Sequence, residues 1–282
     1  MLLTLDVGNT NTVLGLFAAD SDQLLAHWRI STHKTQTVDE YGVLFRNLFA
    51  LRGLSASSVT HIVISSVVPP MDSTLRAVAQ DYFNCTALLI EPGVRTGMRL
   101  LVDNPVEVGA DRVVNCVAAF HRFQQACIVV DFGTATTFDV VSPRGEFLGG
   151  AIAPGLGISA DALFSRAARL GRIDLKKPAK AIGTNTVTNL QSGMFFGYLG
   201  LVDGILARML AELKTQQIEP IEPIKPVKPI EPIILATGGL AALIAPESRY
   251  IQHVDDMLTL QGLRLIFERN ADRFPTRTTT EN

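Results

Sequence analysis

The strongest constraint on this chain is a short pattern that it spells twice. Leu2 to Leu16 reads as an apolar strand, an acid, a glycine-bearing polar turn and a second apolar strand. Cys127 to Val141 repeats that grammar. Asp6-Val7-Gly8-Asn9-Thr10 and Asp131-Phe132-Gly133-Thr134-Ala135 stand 125 residues apart. Leu3, Leu5 and Val7 alternate with smaller or polar residues, the period of a strand. Gly8 and Asn9 tolerate the positive φ that a tight hairpin needs. The hydroxyls of Thr10 and Thr12, the amides of Asn9 and Asn11 and the backbone N–H groups of such a turn can cradle phosphate oxygens. The acid can hold Mg²⁺ directly or through water. Either stretch alone also reads as an ordinary hairpin. Two in one chain point to a duplicated domain.

The doubled pattern resembles the actin, sugar-kinase and Hsp70 superfamily, whose members hold ATP between two ribonuclease-H-like domains. That resemblance implies an α/β fold of two such domains, a duplicated mixed β-sheet flanked by helices, with an ATP cleft between them. The expected domains are residues 1–115 and 116–275. The second carries a proline-rich insertion at 218–232, and 276–282 reads as a disordered tail.

The order of elements in the first half agrees with this. Leu24–Ile30 reads as a third strand and Val38–Leu54 as a helix, with Val43, Leu44, Leu48 and Leu51 near helical spacing. His61–Val68 is a buried strand stopped by Pro69-Pro70, followed by a helix at Met71–Phe83 and a strand at Ala87–Ile90. Pro105 and Gly109 imply a loop, after which Val113, Val114, Val117, Ala118 and Phe120 form the apolar face of a helix. Arg144–Gly157 is rich in glycine and lets backbone approach a ligand or another chain. Helices are expected at Ser159–Leu170, Asn189–Leu213 and Leu258–Asn270. A strand at Ile233–Thr237 runs into Gly238-Gly239, where backbone can pack against a nucleotide. Residues 218–232 repeat Ile/Val-charged-Pro, which forbids helix and suits polyproline II. They read as a solvated connection or as a docking segment for a proline-recognition partner.

Composition narrows the function. Hydrophobic residues make up 47% and charged residues 18%, enough to bury a large core. A net charge of −2 gives no footprint for nucleic acid or an anionic membrane. No run of 18 apolar residues and no basic, apolar leader pattern is present, so neither a membrane span nor a signal peptide is expected. Three cysteines, Cys85, Cys116 and Cys127, lack CxxC spacing and fit core positions in a reducing cytoplasm. The P-loop pattern GxxxxGK[ST], HExxH and GxSxG are missing. Gly155-Leu156-Gly157 lacks the third glycine of a dinucleotide site. No lysine lies between Lys34 and Lys176. Charge on a transferring phosphoryl group then falls to Mg²⁺, arginine and backbone N–H groups.

A kinase also needs a group to accept the proton of the attacking hydroxyl. Asp111 is the best-placed carboxylate, after the flexible Gly109-Ala110 and beside Arg112, whose guanidinium can pair with a carboxylate or phosphate. Near a helix start, Asp111 also reads as an N-cap.

Asp6–Asn11, Gly109–Arg112, Asp131–Thr136, Gly149–Gly155 and Ala236–Leu240, in this order, resemble type III pantothenate kinases over almost the whole chain. The resemblance implies a cytoplasmic homodimer that phosphorylates pantothenate with ATP, Mg²⁺ and a monovalent cation, K⁺ or NH₄⁺, without nucleic acid or membrane. It implies that Asp6, Val7, Gly8, Asn9, Thr10, Asn11, Thr12 and Val13 bind ATP phosphates and that Thr134 contacts ATP. Gly109, Ala110, Asp111 and Arg112 would contact pantothenate, with Asp111 as proton acceptor and Arg112 on the substrate carboxylate. Thr186 would contact pantothenate from the partner subunit, and Asp131 would ligate the monovalent cation. Val102 stands where many members carry a substrate-contacting tyrosine. Two alternatives stay open: a kinase for another small hydroxylated substrate, and a non-catalytic nucleotide-binding regulator like the accessory transcription factors of the family.

Overall fold

A computed structural model describes residues 1–19, 21–167, 170–216 and 231–274. Most of the proline repeat and the tail lie outside the described residues, and the helix expected at 159–170 starts at Leu156 and ends at Arg166, with Ala167 already extended. The chain forms two compact units. One comprises residues 1–99, 103–118 and 257 onward, and the other 100–102 and 119–256.

The first unit is built on a five-stranded sheet. Its strands are β1 (Leu2–Val7), β2 (Asn11–Phe17), β3 (Leu24–Ser31), β4 (His61–Ser66) and β5 (Ala87–Leu89), in the order β3-β2-β1-β4-β5. β1 pairs antiparallel with β2 and parallel with β4. Alternation along β1 sends Leu3, Leu5 and Val7 into one core with helices α1 (Val38–Ala50) and α2 (Pro69–Phe83).

α1 starts at a capping box, Thr37 with Glu40, which satisfies backbone N–H groups at the helix end. Its inward face differs from expectation. Tyr41, Phe45 and Phe49, four residues apart, are the buried line, whereas Val43 is 52% and Leu51 83% exposed. The rings bury more area than the aliphatics beside them, and Phe49 also stacks on Trp28 at 5.1 Å. Pro69 and Pro70 open α2 instead of merely ending β4, since proline fits the first helical turn.

The first unit also receives the end of the chain. Helix α3 (Ala110–Phe123) is buried on every side from Val113 to Ala119, and the boundary between the units falls within it. Helix α7 (Leu258–Glu268) lies on β1, β2 and β4. Gly262 brings α7 against α3, where a Cβ would sit 2.2 Å from the Val114 carbonyl oxygen. Thr259 donates to Asn115 Oδ1 at 2.7 Å across the same contact. The first unit therefore reaches beyond residues 1–115 to include this returning helix.

The second unit repeats the plan. β6 (Arg99–Leu100), β7 (Cys127–Phe132), β8 (Ala135–Val141), β9 (Glu146–Pro154), β10 (Ile233–Thr237) and β11 (His253–Val254) form a sheet in the order β11-β10-β7-β8-β9-β6. Without β6, that order and its mixture of parallel and antiparallel pairs match the first sheet strand for strand. The glycine-rich stretch 144–157 is mostly strand β9. Gly150 is required there because a Cβ would meet the Phe138 carbonyl oxygen at 1.8 Å. Helices α4 (Leu156–Arg166), α5 (Thr186–Gln216) and the short α6 (Ala241–Ile244) complete the unit. α5 packs through Phe195, Tyr198, Val202 and Leu206, one line at helical spacing. α5 is also long and apolar enough, by length and composition, to cross a membrane, and only 22% of its most apolar stretch is buried.

Candidate active site

The first doubled motif sits at the end of the β1–β2 hairpin. Asp6 is opposite Val13 and Val7 opposite Thr12, and the Gly8 N–H donates to the Asn11 carbonyl at 3.0 Å. Neither Gly8 nor Asn9 takes the positive φ expected of them. Glycine at position 8 eases a close approach instead: a Cβ would lie 3.1 Å from the Asn11 carbonyl oxygen, a tight contact that the turn would have to relax to accept.

Asn9 and Thr10 are exposed, while Val7 and Thr12 are buried. Thr12 shares a 2.9 Å hydrogen bond with the Thr32 hydroxyl, and Thr32 donates to the Gly8 carbonyl at 2.7 Å. The Thr32 N–H reaches the Thr10 carbonyl at 2.9 Å. The segment after β3 thus braces the turn and delivers Lys34, whose Nζ donates to Asn9 Oδ1 at 3.1 Å. Lys34 was not legible as part of this turn, because 25 residues separate the two partners and no local spacing marks them.

Gly109 to Arg112 form the entry to α3. Asp111 is the second helical residue, inside the first turn and past the N-cap position. Its Oδ1 accepts the Arg112 N–H at 2.8 Å, so the carboxylate uses one of the free donors of the helix end. Desolvation by burial pushes the Asp111 carboxyl above the ordinary carboxylate range. The Arg112 N–H and the Arg112 charge pull it back only in part. Gly109 leaves the space this carboxylate occupies, since a Cβ there would stand 2.6 Å from Asp111 Oδ1.

The second motif lies at the end of the β7–β8 hairpin, in the other unit. Asp131 is opposite Thr137 on β8 and Thr237 on β10. Gly238, at φ +91°, passes so close that a Cβ would lie 2.4 Å from Asp131 Oδ1 and 2.7 Å from the Phe132 nitrogen. This is a cradle only glycine permits, and a carboxylate set among backbone groups suits a hard cation.

Gly155 treats the neighbouring turn similarly. Its N–H donates to the Thr134 carbonyl at 3.1 Å, and a Cβ would stand 2.3 Å from that oxygen. The Tyr198 hydroxyl is hydrogen-bonded to Thr136 and to the backbone of Leu156, which ties α5 and α4 to this hairpin.

Val102 follows β6 and faces Gly149, whose Cβ would lie 3.7 Å from Val102 Cγ1. It offers no hydroxyl. Thr186 is exposed at the first position of α5, after an Asn185 cap that accepts the Thr188 N–H at 3.0 Å. Asp6 to Val13 and Gly109 to Arg112 thus share the first unit, whereas Val102, Asp131, Thr134 and Thr186 share the second. Among the described residues, no three of His, Cys, Asp and Glu gather as a metal cage. Cys85, Cys116 and Cys127 are buried and not joined in disulfides, and burial pushes Cys127 up to about 12, which leaves it unreactive.

Comparison with known proteins adds what geometry alone does not name. The family model described as type III pantothenate kinase matches residues 2–208. A type III pantothenate kinase of Koribacter versatilis is 59% identical over 278 residues, covering 96% of each chain. One from Acidobacterium capsulatum is 55% identical over 272 residues, covering 95% of this chain and 94% of the relative.

Two solved structures share the fold at low identity and bear on the fold alone. One, from Campylobacter jejuni, is described as a Baf family transcriptional activator: TM-score 0.55, 18% identity, covering 96% of this chain and 99% of that one. The other, from Sinorhizobium meliloti, is described as a 2-dehydro-3-deoxygalactonokinase: TM-score 0.55, 14% identity, covering both chains in full. With a family model matched over most of its length and relatives above half identity end to end, this chain belongs to the type III pantothenate kinase family.

Proposed function

We propose that this protein transfers the γ-phosphoryl group of ATP to the terminal hydroxyl of pantothenate, the first step of coenzyme A biosynthesis. Within the family reading, the observation that carries the mechanism is Asp111. It is a half-buried carboxylate fixed by the Arg112 N–H, in a space kept open by Gly109. A raised proton affinity makes it a better acceptor for the hydroxyl proton than an ordinary surface carboxylate. Arg112 takes the substrate carboxylate, and Gly109 and Ala110 present backbone to the substrate. Val102, without a hydroxyl, gives an apolar contact in place of a hydrogen bond.

The turn from Asp6 to Val13 binds the ATP phosphates through backbone N–H groups and exposed side chains, and Thr134 contacts ATP from the second hairpin. A divalent cation bound with ATP supplies charge neutralisation between its phosphates. Asp6 is the residue that holds it, and Asp131 holds a monovalent cation, K⁺ or NH₄⁺. Release of ADP should depend strictly on pantothenate and respond to added K⁺. Nucleotide binding without turnover would favour the regulatory alternative, and turnover on another hydroxylated acid or sugar would redirect the substrate.

The protein acts as a homodimer in this reading, with Thr186 reaching the partner's substrate and α5 forming the interface. Gly193, Gly197, Gly200 and Gly204 lie along one line of α5, and a Cβ at the first three would meet nothing within 4 Å. Each interior helical glycine costs about 1 kcal/mol against alanine, so a row of them calls for a close neighbour to offset it. Gly197→Leu is expected to convert a dimer into a monomer in light scattering and to lower turnover with it. A wild-type monomer, or a variant that stays dimeric, would remove α5 from this role. Such a partner also accounts for an apolar helix left largely uncovered within one chain, with a cytoplasmic enzyme as the setting.

A further inference from the structure

Ser65 is the last residue but one of β4, beside Asp6. The two are register partners in the parallel β1–β4 pair, so their side chains leave the sheet on the same face. That is the face opposite Leu3, Leu5 and Val7. One step back along the strands, it is covered by α7, where Leu260 Cδ1 and Thr4 Oγ1 crowd the place of a Cβ on Gly15 at 2.8 Å. Asp6 and Ser65 lie at the carboxyl ends of their parallel strands, the edge at which open α/β sheets bind ligands.

Ser65 is fully buried, and its Oγ has no hydrogen-bond partner among the described residues. A buried hydroxyl without a partner is costly, and folded proteins retain few of them. Alanine at this position would fill almost the same volume without that cost. Its neighbour Ser66 differs, because the Ser66 hydroxyl accepts the Val68 N–H at 3.2 Å and so has a structural task.

We propose that Ser65 is a positioning residue for the nucleotide, its hydroxyl reserved for the hydrated divalent cation and phosphate that Asp6 holds. The hydroxyl donates to the oxygen shell around Asp6 when nucleotide is bound, and it fixes the rotamer in which the carboxylate meets its ligand. The inference rests on the reading of Asp6 as a nucleotide residue, so its test carries an Asp6 arm.

The full-length protein is titrated with a non-hydrolysable ATP analogue by calorimetry, with Mg²⁺ and with EDTA, and its thermal midpoint is followed with and without the analogue. In Ser65→Ala, affinity with Mg²⁺ is expected to fall about tenfold while affinity in EDTA changes little. The midpoint of the free protein should hold or rise, because an unpaired polar group has been removed, and the shift produced by the analogue should shrink. Ser65→Cys, which keeps a weak donor of similar size, should fall between the two.

A merely structural serine gives the opposite pattern: a lower midpoint for the free protein and an unchanged ligand shift. That result overturns the proposal. If Asp6→Asn weakens Mg²⁺-dependent binding while Ser65→Ala leaves it intact, Ser65 alone is wrong. If neither variant changes binding, the reading of Asp6 fails first.

Discussion

Asp111→Asn should lower the turnover of pantothenate by about 10²- to 10⁴-fold, the range a positioned general base supplies. Asparagine is the informative replacement because its side-chain oxygen can still accept the Arg112 N–H, the bond that holds the wild-type carboxylate at 2.8 Å. The helix end keeps its partner and only the proton acceptor is lost. Affinity for ATP should hold, so the loss should appear in kcat.

The pH dependence follows from the direction of the shift. Burial raises the folded-state affinity of Asp111 for its proton, and a proton acceptor, the role proposed for it, works in the ionised form. Activity should therefore fall, as pH is lowered, at a higher pH than an unperturbed carboxylate near 4 would give. Stability runs the other way. A carboxyl with a raised folded pKa costs the fold nothing below its unfolded pKa, where both states are protonated. The cost grows through the interval between the two values and is complete above the folded one. Asp111→Asn should thus raise the melting temperature at neutral pH and leave it nearly unchanged below the ordinary carboxylate range. A variant with wild-type turnover would remove Asp111 from the chemistry. A variant less stable at neutral pH would mean that helix-end attraction outweighs desolvation there.

Gly238→Ala carries a large expected loss of stability, from strain and crowding together. Its φ of +91° is a conformation that side chains resist, at a cost of about 1–3 kcal/mol. The new Cβ would also stand 2.4 Å from Asp131 Oδ1 and 2.8 Å from the Phe132 carbonyl carbon, and backbone gives way poorly. Overpacking of this kind adds about 1–3 kcal/mol more. The melting temperature should drop by several degrees, and any activation by K⁺ should weaken because the Asp131 carboxylate is the group displaced.

Gly157→Ala is the control. Nothing lies within 4 Å of a Cβ there, and the residue sits inside helix α4, so that variant should gain about 0.5–1 kcal/mol. Equal midpoints for the two variants would sink the contact between Gly238 and Asp131. Lost stability with an intact K⁺ response would detach Asp131 from the cation while leaving the packing argument standing.

Much of the fold was legible because its signals are local. Both hairpins carry their own alternation, and the acid-glycine pattern marks where each turns. The repeat at a distance announced a second copy, and the second sheet reproduces the first in strand order and direction. The helices were legible as helices, but their faces less so. Of the aliphatics at helical spacing on α1, Leu44 and Leu48 pack against the core while Val43 and Leu51 face out, and the fully buried line is Tyr41, Phe45 and Phe49, whose larger rings exclude more water when buried. Strand β9 hid behind its glycines, which serve close strand packing at Gly150 and lack the usual strand chemistry.

By itself, then, the sequence determined that the chain folds as two related α/β halves, each with an acid near the end of its first strand, and it singled out Gly109 to Arg112 as the stretch on which the proposed chemistry rests. It also determined the family, since several motifs in fixed order are far more specific than any one of them. Only the tertiary structure decided that the last helix belongs to the first unit, that Lys34 stands at Asn9, that Ser65 lies unpaired beside Asp6, and that Gly238 makes room for Asp131. The reason is physical. Spacing along a chain reports which face of its own strand or helix a residue occupies, whereas the neighbour across that face is chosen by sheet register and packing among segments far apart in sequence.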